Sequence, residues 1–594
     1  MTATVVAGQE VETVAADIAE PARPPRRWLP WALLALSAIF YVIGERSIPD
    51  AGPSQWGLIG ATSPAYPIAI ALVVIAFTIA VRQANVVSSA IATICLVLVL
   101  QLPRATATDM PMYSWTYKHL GVVDYIQHSG GLALGLDIYN GWPGLFALTA
   151  WFSDLTGVPP IVIAHWWTPC FHLALVTMVY GVARAWGLAP LHAVTAMFMV
   201  AALNWVAQDY FSPQSVGLFL SAAIIALLGL SRERRTGVCL IIVLFAAVNL
   251  THPLTPYWVA LLIGLLVISR NMRPWWILFP LAALLAGQLW LNWDQVSDFK
   301  DHLSLDFFRN LQTNLGRFHF DPVFGQRVVG WGNRAMAIAL WGATALTLLY
   351  RWRRKQPFFA LAVLSFTGMC LVGGLDYGGE SIFRVYLYCL MGCSLVLAPV
   401  VVALLQGGLR GYTAAVCVLL IAISASVMGN TGSWFANVMP KNQVETSEQV
   451  LAQAELPAYI TEAAPNWPER STWRYANYMR FKSSFDQPMI FKNELIKRHF
   501  NTDEDYEWVI KALDGRQDAS TYLIITDQMQ VYCWYFGILP WDALPNLKAR
   551  LYADRERWEP FFEGEGVTVF VHKIRPNGSP DPVMVGNAAQ RGRG

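Results

Sequence analysis

Charge is what this sequence has least of. Only 14% of its 594 residues are Asp, Glu, Lys or Arg, 55% are hydrophobic, and mean hydropathy is +0.40. That is too apolar for a water-soluble enzyme of this length. The formal net charge is +2, and the basic residues sit in short loops in ones to fours, which argues against a nucleic-acid partner. Of eight cysteines, seven (Cys95, Cys170, Cys239, Cys370, Cys389, Cys393 and Cys417) fall in apolar segments and Cys533 stands alone beyond them, so no disulfide framework is indicated. HExxH, CxxC, Walker and GxSxG patterns are missing, which removes support for a zinc hydrolase, an ATPase and a serine hydrolase. There is no internal repeat and no matched pair of broken helices of the kind inverted-repeat transporters carry. Residues 1–27 have no charged region ahead of an apolar core and read as a disordered cytoplasmic tail, not a cleaved signal peptide.

What is there is a recurring apolar segment of about 17–25 residues, from Trp28–Gly44 to Tyr412–Val427, giving about thirteen crossings. The expected fold is an all-α polytopic membrane bundle (28–430) with a small C-terminal extracytoplasmic α/β domain (431–574) and a disordered end (575–594). With the N-terminus cytoplasmic, the inside loops receive Arg82, Arg184, the RERR loop, Arg270, Arg273, the RWRRK loop and Arg410. The short outside loops keep only Arg46 and Arg384. Counting Gly141–Thr156 as a crossing would invert that asymmetry, so it is expected to be an interfacial helix with Trp142, Phe146 and Trp151 at the headgroup boundary. Two larger outer loops follow, 103–158 and 292–333. In the tail, Thr521–Thr526 and Val567–Lys573 read as strands, and NELIKRHF (from Asn493) and DALPNLKARLYADRERW (from Asp542) as amphipathic helices.

Polar residues able to do chemistry gather at the outer ends. Asp109, just beyond the third crossing, suits a general base toward an acceptor hydroxyl, and equally an N-cap for the run that follows. Asp124 is a candidate second catalytic acid. Asp137 is another acid candidate, or simply a turn residue before Trp142 and Pro143. Lys118 and His119 suit a phosphate. Gln208, Asp209 and Tyr210 lie at the outer end of a crossing, where a carboxylate is expensive and marks a site, and Ser212 with Pro213 reads as the cap of the next helix. His252 lies at another outer end. Glu380 and Arg384 stand before a late crossing, where a guanidinium suits a lipid-linked phosphate or pairs with Glu380. Arg317 adds a cation in the second outer loop. The spacing leaves open a divalent ion held by Asp109 with another loop acid.

A large first outer loop with Asp109 soon after a crossing, the segment DIYNGWPGLFALTAWF (from Asp137), and the late FRVYLY around Arg384 together resemble the GT-C class of integral membrane glycosyltransferases. The resemblance is to the polyprenyl-phosphate-sugar-dependent group, which includes bacterial mannosyl- and arabinosyltransferases, and it runs from about Trp28 to Asn430. Two further crossings precede the loop acid here, and the family's strict acidic pair is absent. The resemblance implies a polyprenyl-phosphate sugar as donor, a glycan, lipid or protein acceptor, and inverting displacement at the plasma membrane. Asp109 would be base, Arg384 and Lys118 would meet the phosphate, and Tyr139 and Trp142 would stack on sugar. Two other classes fit the composition. A transporter or flippase of a lipid-linked solute would use Asn204, Asp209 and Arg384, but the polar residues cluster at outer ends and not at mid-membrane. A non-catalytic envelope scaffold would need none of them.

Overall fold

The computed structural model describes residues 27–206, 208–231, 237–297, 320–373, 381–491, 493–513 and 519–573. From its start the chain forms α1 (Leu29–Glu45), α2 (Ala65–Arg82) and α3 (Val86–Gln101), then a loop carrying α4 (Ser114–Ser129) and α5 (Gly144–Thr156). It continues as α6 (Pro160–Ala185), α7 (Pro190–Leu203), α8 (Pro213–Leu230), α9 (Val238–Thr251), α10 (Thr255–Ile268), α11 (Leu278–Leu291), α12 (Phe324–Arg353), α13 (Phe359–Phe366), α14 (Ser381–Gln406) and α15 (Leu409–Thr431). After it come α16 (Lys441–Gln453), β1 (Ala458–Glu462), α17 (Tyr475–Phe481), α18 (Asp503–Leu513), β2 (Ser520–Thr526), α19 (Asp527–Phe536), α20 (Ala543–Ala553), β3 (Glu559–Gly564) and β4 (Val567–His572).

Among the described residues, six helical stretches are long and apolar enough to cross a membrane, and six more apolar helices are shorter, at 10–17 residues. The expected total of about thirteen counts those shorter helices and α12. α12 begins at Phe324, so the end of the expected second outer loop is helical instead. Helices pack through stacked aromatics such as Phe77 on Phe198, 3.6 Å apart, and Trp258 on Tyr388, 4.1 Å apart. Large apolar side chains such as Ile39, Ile338 and Ile421 stay exposed on the outer faces of α1, α12 and α15, as a bilayer-solvated surface requires.

The bundle has two chemically different ends. At one, Arg82 lies over the Tyr412 ring and Gln406 donates to the Val81 carbonyl, and this end also carries Arg351 and Arg353 in the last turn of α12 and Lys355 just after it. At the other lie the loop helices and the C-terminal sheet, of order β1-β2-β4-β3. β1 runs parallel to β2 (Tyr459 opposite Thr521), and β4 is antiparallel to both β2 (Leu523 opposite Phe570) and β3.

Two expected elements came out differently. NELIKRHF is one 3-10 turn followed by irregular chain. Lys497 and Phe500 adopt positive φ, and their N–H groups bond to the Ile538 carbonyl and Asp505, tertiary partners that outcompete helix bonds. α5 is a short helix as expected, but Trp142 and Phe146 are buried, 4% and 0% exposed, and do not face a headgroup boundary. The period of 3.6 puts Leu145, Phe146, Thr149 and Ala150 on the inner face and leaves Leu148, Trp151, Phe152 and Leu155 outward.

α4 decides how the loop and the C-terminal domain fit together. It ends at Gly130 in the left-handed region, and its face of Tyr117, Leu120, Val122 and Val123 joins one core with Ile460, Tyr475, Leu523 and Phe570 of the C-terminal domain. The segment after β1 lies directly on α4: Asp124 accepts from the Trp473 N–H at 2.7 Å, and the Lys118 ammonium meets Glu469 at 2.5 Å. A Cβ on Gly121 would stand 1.8 Å from the Arg470 carbonyl oxygen, so only glycine allows this approach. Gly121→Ala is therefore expected to cost about 1–3 kcal/mol by overpacking. It should lower the apparent melting temperature of the detergent-solubilised protein and open the 467–475 segment to limited proteolysis. Unchanged melting and cleavage would show that the two pieces are not docked through α4.

Candidate functional site

Pro103 starts a helical turn that carries Arg104 inward from the end of α3. Opposite it, the linker 204–212 leaves α7 and is stopped by Ser212, whose side chain caps α8 ahead of Pro213, as the sequence indicated. That linker aims Asp209 at Arg104. Nη1 donates to both carboxylate oxygens at 3.0 and 3.1 Å, and Nη2 reaches the Asn430 Oδ1 at 2.8 Å. His172 Nε2, from within α6, completes the group at 2.6 Å from Asp209 Oδ2. All four side chains are buried. Burial alone would raise the Asp209 pKa, but Arg104 and His172 beside it outweigh burial and hold it down to about 2. Asp209 is thus a fixed anion tying α3, α6, the linker and α15 together, with its oxygens already committed.

Beside this network the linker presents Tyr210 and Phe211 to α4. His119 Nδ1 lies 2.7 Å from the Phe211 carbonyl oxygen, which can only accept, so Nδ1 carries the proton and Nε2 keeps its lone pair. The imidazole stacks on Tyr210 and sits against Tyr139 and Phe146. Burial, with the Lys118 charge adding to it, pushes its pKa down to about 4 against the opposing Phe211 hydrogen bond. At the turn between α9 and α10, His252 is the converse. Its Nδ1 accepts from the Thr255 N–H at 3.1 Å and lies 2.8 Å from the Thr255 hydroxyl, so its proton is on Nε2. Burial, with Arg384 and His119 nearby, puts its pKa well below the usual histidine value. Thr255 in turn meets the Tyr388 hydroxyl at 2.8 Å, one helical turn along α14 from Arg384, and Arg384 Nε donates to Gln214 Oε1 at 3.1 Å. Beside the Arg104–Asp209 network, the Arg384 guanidinium, the His252 imidazole N–H donor and the His119 imidazole acceptor are therefore accompanied by Tyr139, Tyr210 and Tyr388.

His119, Tyr139, Tyr210, His252 and Arg384 come together in this way. Gln208 lies in the same linker with Oε1 buried and without a hydrogen-bond partner among the described residues. Asp209 stands behind them. Lys118 points away, to Glu469 and over the Trp115 ring. Asp124 holds the C-terminal segment. Asp137 caps a short turn through Asn140, with both bonds at 2.9 Å, and its other oxygen lies 3.9 Å from Arg470. Trp142 is packed inside. Asp109 is not the N-cap of α4, which begins at Ser114. It is exposed and makes no hydrogen bond or ion pair with the described residues. Four residues on, the Tyr113 ring lies 5.2 Å from Tyr210. Arg317 and Glu380 lie outside the described residues. Among the described residues no three His, Cys, Asp or Glu side chains are grouped to hold a metal. Among the described acids, Asp124, Asp137 and Asp209 are committed elsewhere, and none of them joins Asp109 in a set that fits a divalent ion.

The sequence reading passed over Arg104, His172 and Gln214. A signal existed for two of them, since Arg104 is a cation at an outer helix end and His172 an ionisable residue inside an apolar helix. Arg104→Met strands a buried carboxylate and is expected to cost about 3–5 kcal/mol, with Arg104→Met/Asp209→Asn costing less than the two singles added. Thermal melts of the three variants check this, and strict additivity would show the pair is not coupled. The pH dependence has a definite sign. His119 has a folded pKa of about 4 against roughly 6.5 unfolded. Its stabilisation is therefore whole above pH 6.5 and is lost as pH falls toward 4. His119→Gln should flatten the fall in melting temperature between pH 7 and 5, and an unchanged slope would mean that His119 titrates normally.

No protein-family model matches the sequence, and no curated protein matches it either. Among solved structures the chain is similar to the oligosaccharyltransferase of Archaeoglobus fulgidus tethered to an acceptor peptide, with 11% identity, 82% of this chain and 74% of that one covered, and a TM-score of 0.46. It is similar to ArnT of Cupriavidus metallidurans bound to undecaprenyl phosphate, with 9% identity, 84% and 99% coverage, and a TM-score of 0.42. It is also similar to the arabinofuranosyltransferase AftD from Mycobacteria, with 14% identity, 83% and 40% coverage, and a TM-score of 0.43. These likenesses carry no residue correspondence.

Proposed function

We propose that this chain is a membrane glycosyltransferase that moves a sugar from a polyprenyl-phosphate-linked donor to a glycan, lipid or protein acceptor of the cell envelope. The observation that carries this reading is the buried set of Arg384, His252 Nε2–H and His119 where bilayer-exposed helices meet the polar end of the bundle. A guanidinium and a neutral N–H donor suit a phosphate ester arriving on a lipid chain, because charge-assisted bonds hold the anion while the chain stays among the helices. The basic opposite end supports a cytoplasmic N-terminus and an outer site.

The chemistry follows in one displacement. The acceptor hydroxyl oxygen attacks the anomeric carbon as the carbon–oxygen bond to phosphate breaks. Polyprenyl phosphate leaves with the electron pair, and the hydroxyl proton passes to Asp109. Attack opposite the leaving group inverts the anomeric centre. The departing phosphate is a good leaving group without protonation, so one base and a cationic cradle suffice. Of the acids in the first outer loop, Asp109 is the one whose oxygens are not taken by another described group, and this favours it over Asp124 as base.

Membranes holding the wild type should transfer radiolabel from a polyprenyl-phosphate sugar to an acceptor. Asp109→Asn at matched expression should lose about 10²–10⁴-fold, and Arg384→Lys should be impaired less than Arg384→Ala. Equal transfer by Asp109→Asn would remove it as base. No wild-type transfer across a broad donor panel would favour a transporter of a lipid-linked solute.

A further inference from the structure

On the far side of the 139–143 turn from His119 lies a cavity of about 260 Å³ between the loop and the ends of α9 and α11. Its polar lining is almost entirely carboxamide, from Asn140, Gln288, Asn292 and Gln295, with the single carboxylate of Asp294. Leu134, Leu250 and Leu291 supply the apolar part, and among the described residues no Lys, Arg or His lines the cavity. Two of the amides are held in place by main-chain carbonyls. Gln288 Nε2 donates to the Gly141 main-chain carbonyl at 2.8 Å, and Asn292 Nδ2 to the Gln288 main-chain carbonyl at 3.0 Å. The Gln295 Oε1 atom is buried and makes no hydrogen bond with the described residues. Such an acceptor is costly unless something donates to it.

Gly141 makes the arrangement possible. A Cβ there would stand 2.4 Å from Asn292 Oδ1 and 2.8 Å from Gln295 Oε1. The cavity also shares its wall with the candidate site, since Tyr139 adjoins Asn140 and His252 follows Leu250 by two residues.

Carboxamides offer a donor and an acceptor side by side without charge, which matches neighbouring hydroxyls, and leucines suit the C–H face of a ring. An anion would meet Asp294 and find no counter-charge among the described lining residues. The volume falls just below the roughly 300–1,000 Å³ of drug-sized sites, room for one ring and not for a chain. We propose that this cavity is a subsite for one uncharged sugar unit, the terminal residue of a glycan acceptor. The role as acceptor rests on the transferase reading, whereas the binding does not.

The test is saturation-transfer NMR on the full chain in nanodiscs, with methyl glycosides of neutral hexoses and pentoses and methyl glucuronide as the charged control. At least one neutral glycoside should receive saturation and the glucuronide none. Gly141→Ala and Gln295→Leu should each weaken binding about 10-fold, the worth of one buried hydrogen bond, with melting temperatures near wild type. The proposal is overturned if no neutral glycoside binds, if the glucuronide is preferred, or if both variants bind as wild type does. Glycoside binding that responds to both substitutions, without label transfer by the wild type, would sink the transferase reading and leave the subsite standing. Label transfer without glycoside binding would do the reverse.

Discussion

The pairing of Arg104 with Asp209, inside a protein end where neither can reach water, is the constraint from which the polar end is built. An isolated charge in such a place is expensive, so each ion is tolerable only while the other, His172 and Asn430 stay in position. Four separate stretches of chain are thereby fixed at one point: the turn after α3, the middle of α6, the linker before α8 and the last turn of α15. Because the linker is fixed, the Phe211 carbonyl is aimed at His119 and the Tyr210 ring lies flat beside it. The one charged residue of the linker, Asp209, is thus scaffolding, and the neutral ones after it face the site.

A second network works on the outside of α4. Lys118 and Arg470 serve Glu469, Asp486 and Asp137, while Glu462 lies buried beside Glu469. Burial and the neighbouring Glu469 carboxylate push the Glu462 pKa well up, which favours its neutral form among several acids. Lys118 and His119 are adjacent in sequence but roughly 100° apart on the helix. One side of α4 is held by the C-terminal domain while the other presents an imidazole to the bundle. The register of that helix is therefore set from outside the site.

Much of this was legible in the sequence, for uneven reasons. Apolar runs mark helices strongly, and β2 and β4 show as alternating or continuous β-branched runs. β1 is five residues, too short to stand out, and β3 contains Pro560, which ordinarily argues against a strand but is tolerated on this edge. Tyr210, His252 and Arg384 were visible because each closes or opens an apolar run at the same end of the bundle, and that end is where they meet. The partners of Asp124 and Asp209 were not visible, since they lie 349 and 105 residues away. A carboxylate looks the same in sequence whether it faces substrate or a distant arginine. Even the orientation of α5 needed the fold, because both of its faces carry aromatics.

The shared core of α4 and the C-terminal sheet also imposes an order of events in time. Asp124 and the Trp473 amide are separated by 349 residues, about 20–70 s of synthesis at roughly 5–20 residues per second. For that interval the first loop is complete in covalent terms, and α4 can pack on Phe146, Ala164 and Phe211 but not on the C-terminal sheet. The nascent protein therefore carries an unfinished face through the making of every later apolar helix. The loop end of the bundle takes its final form only once the sheet has been made.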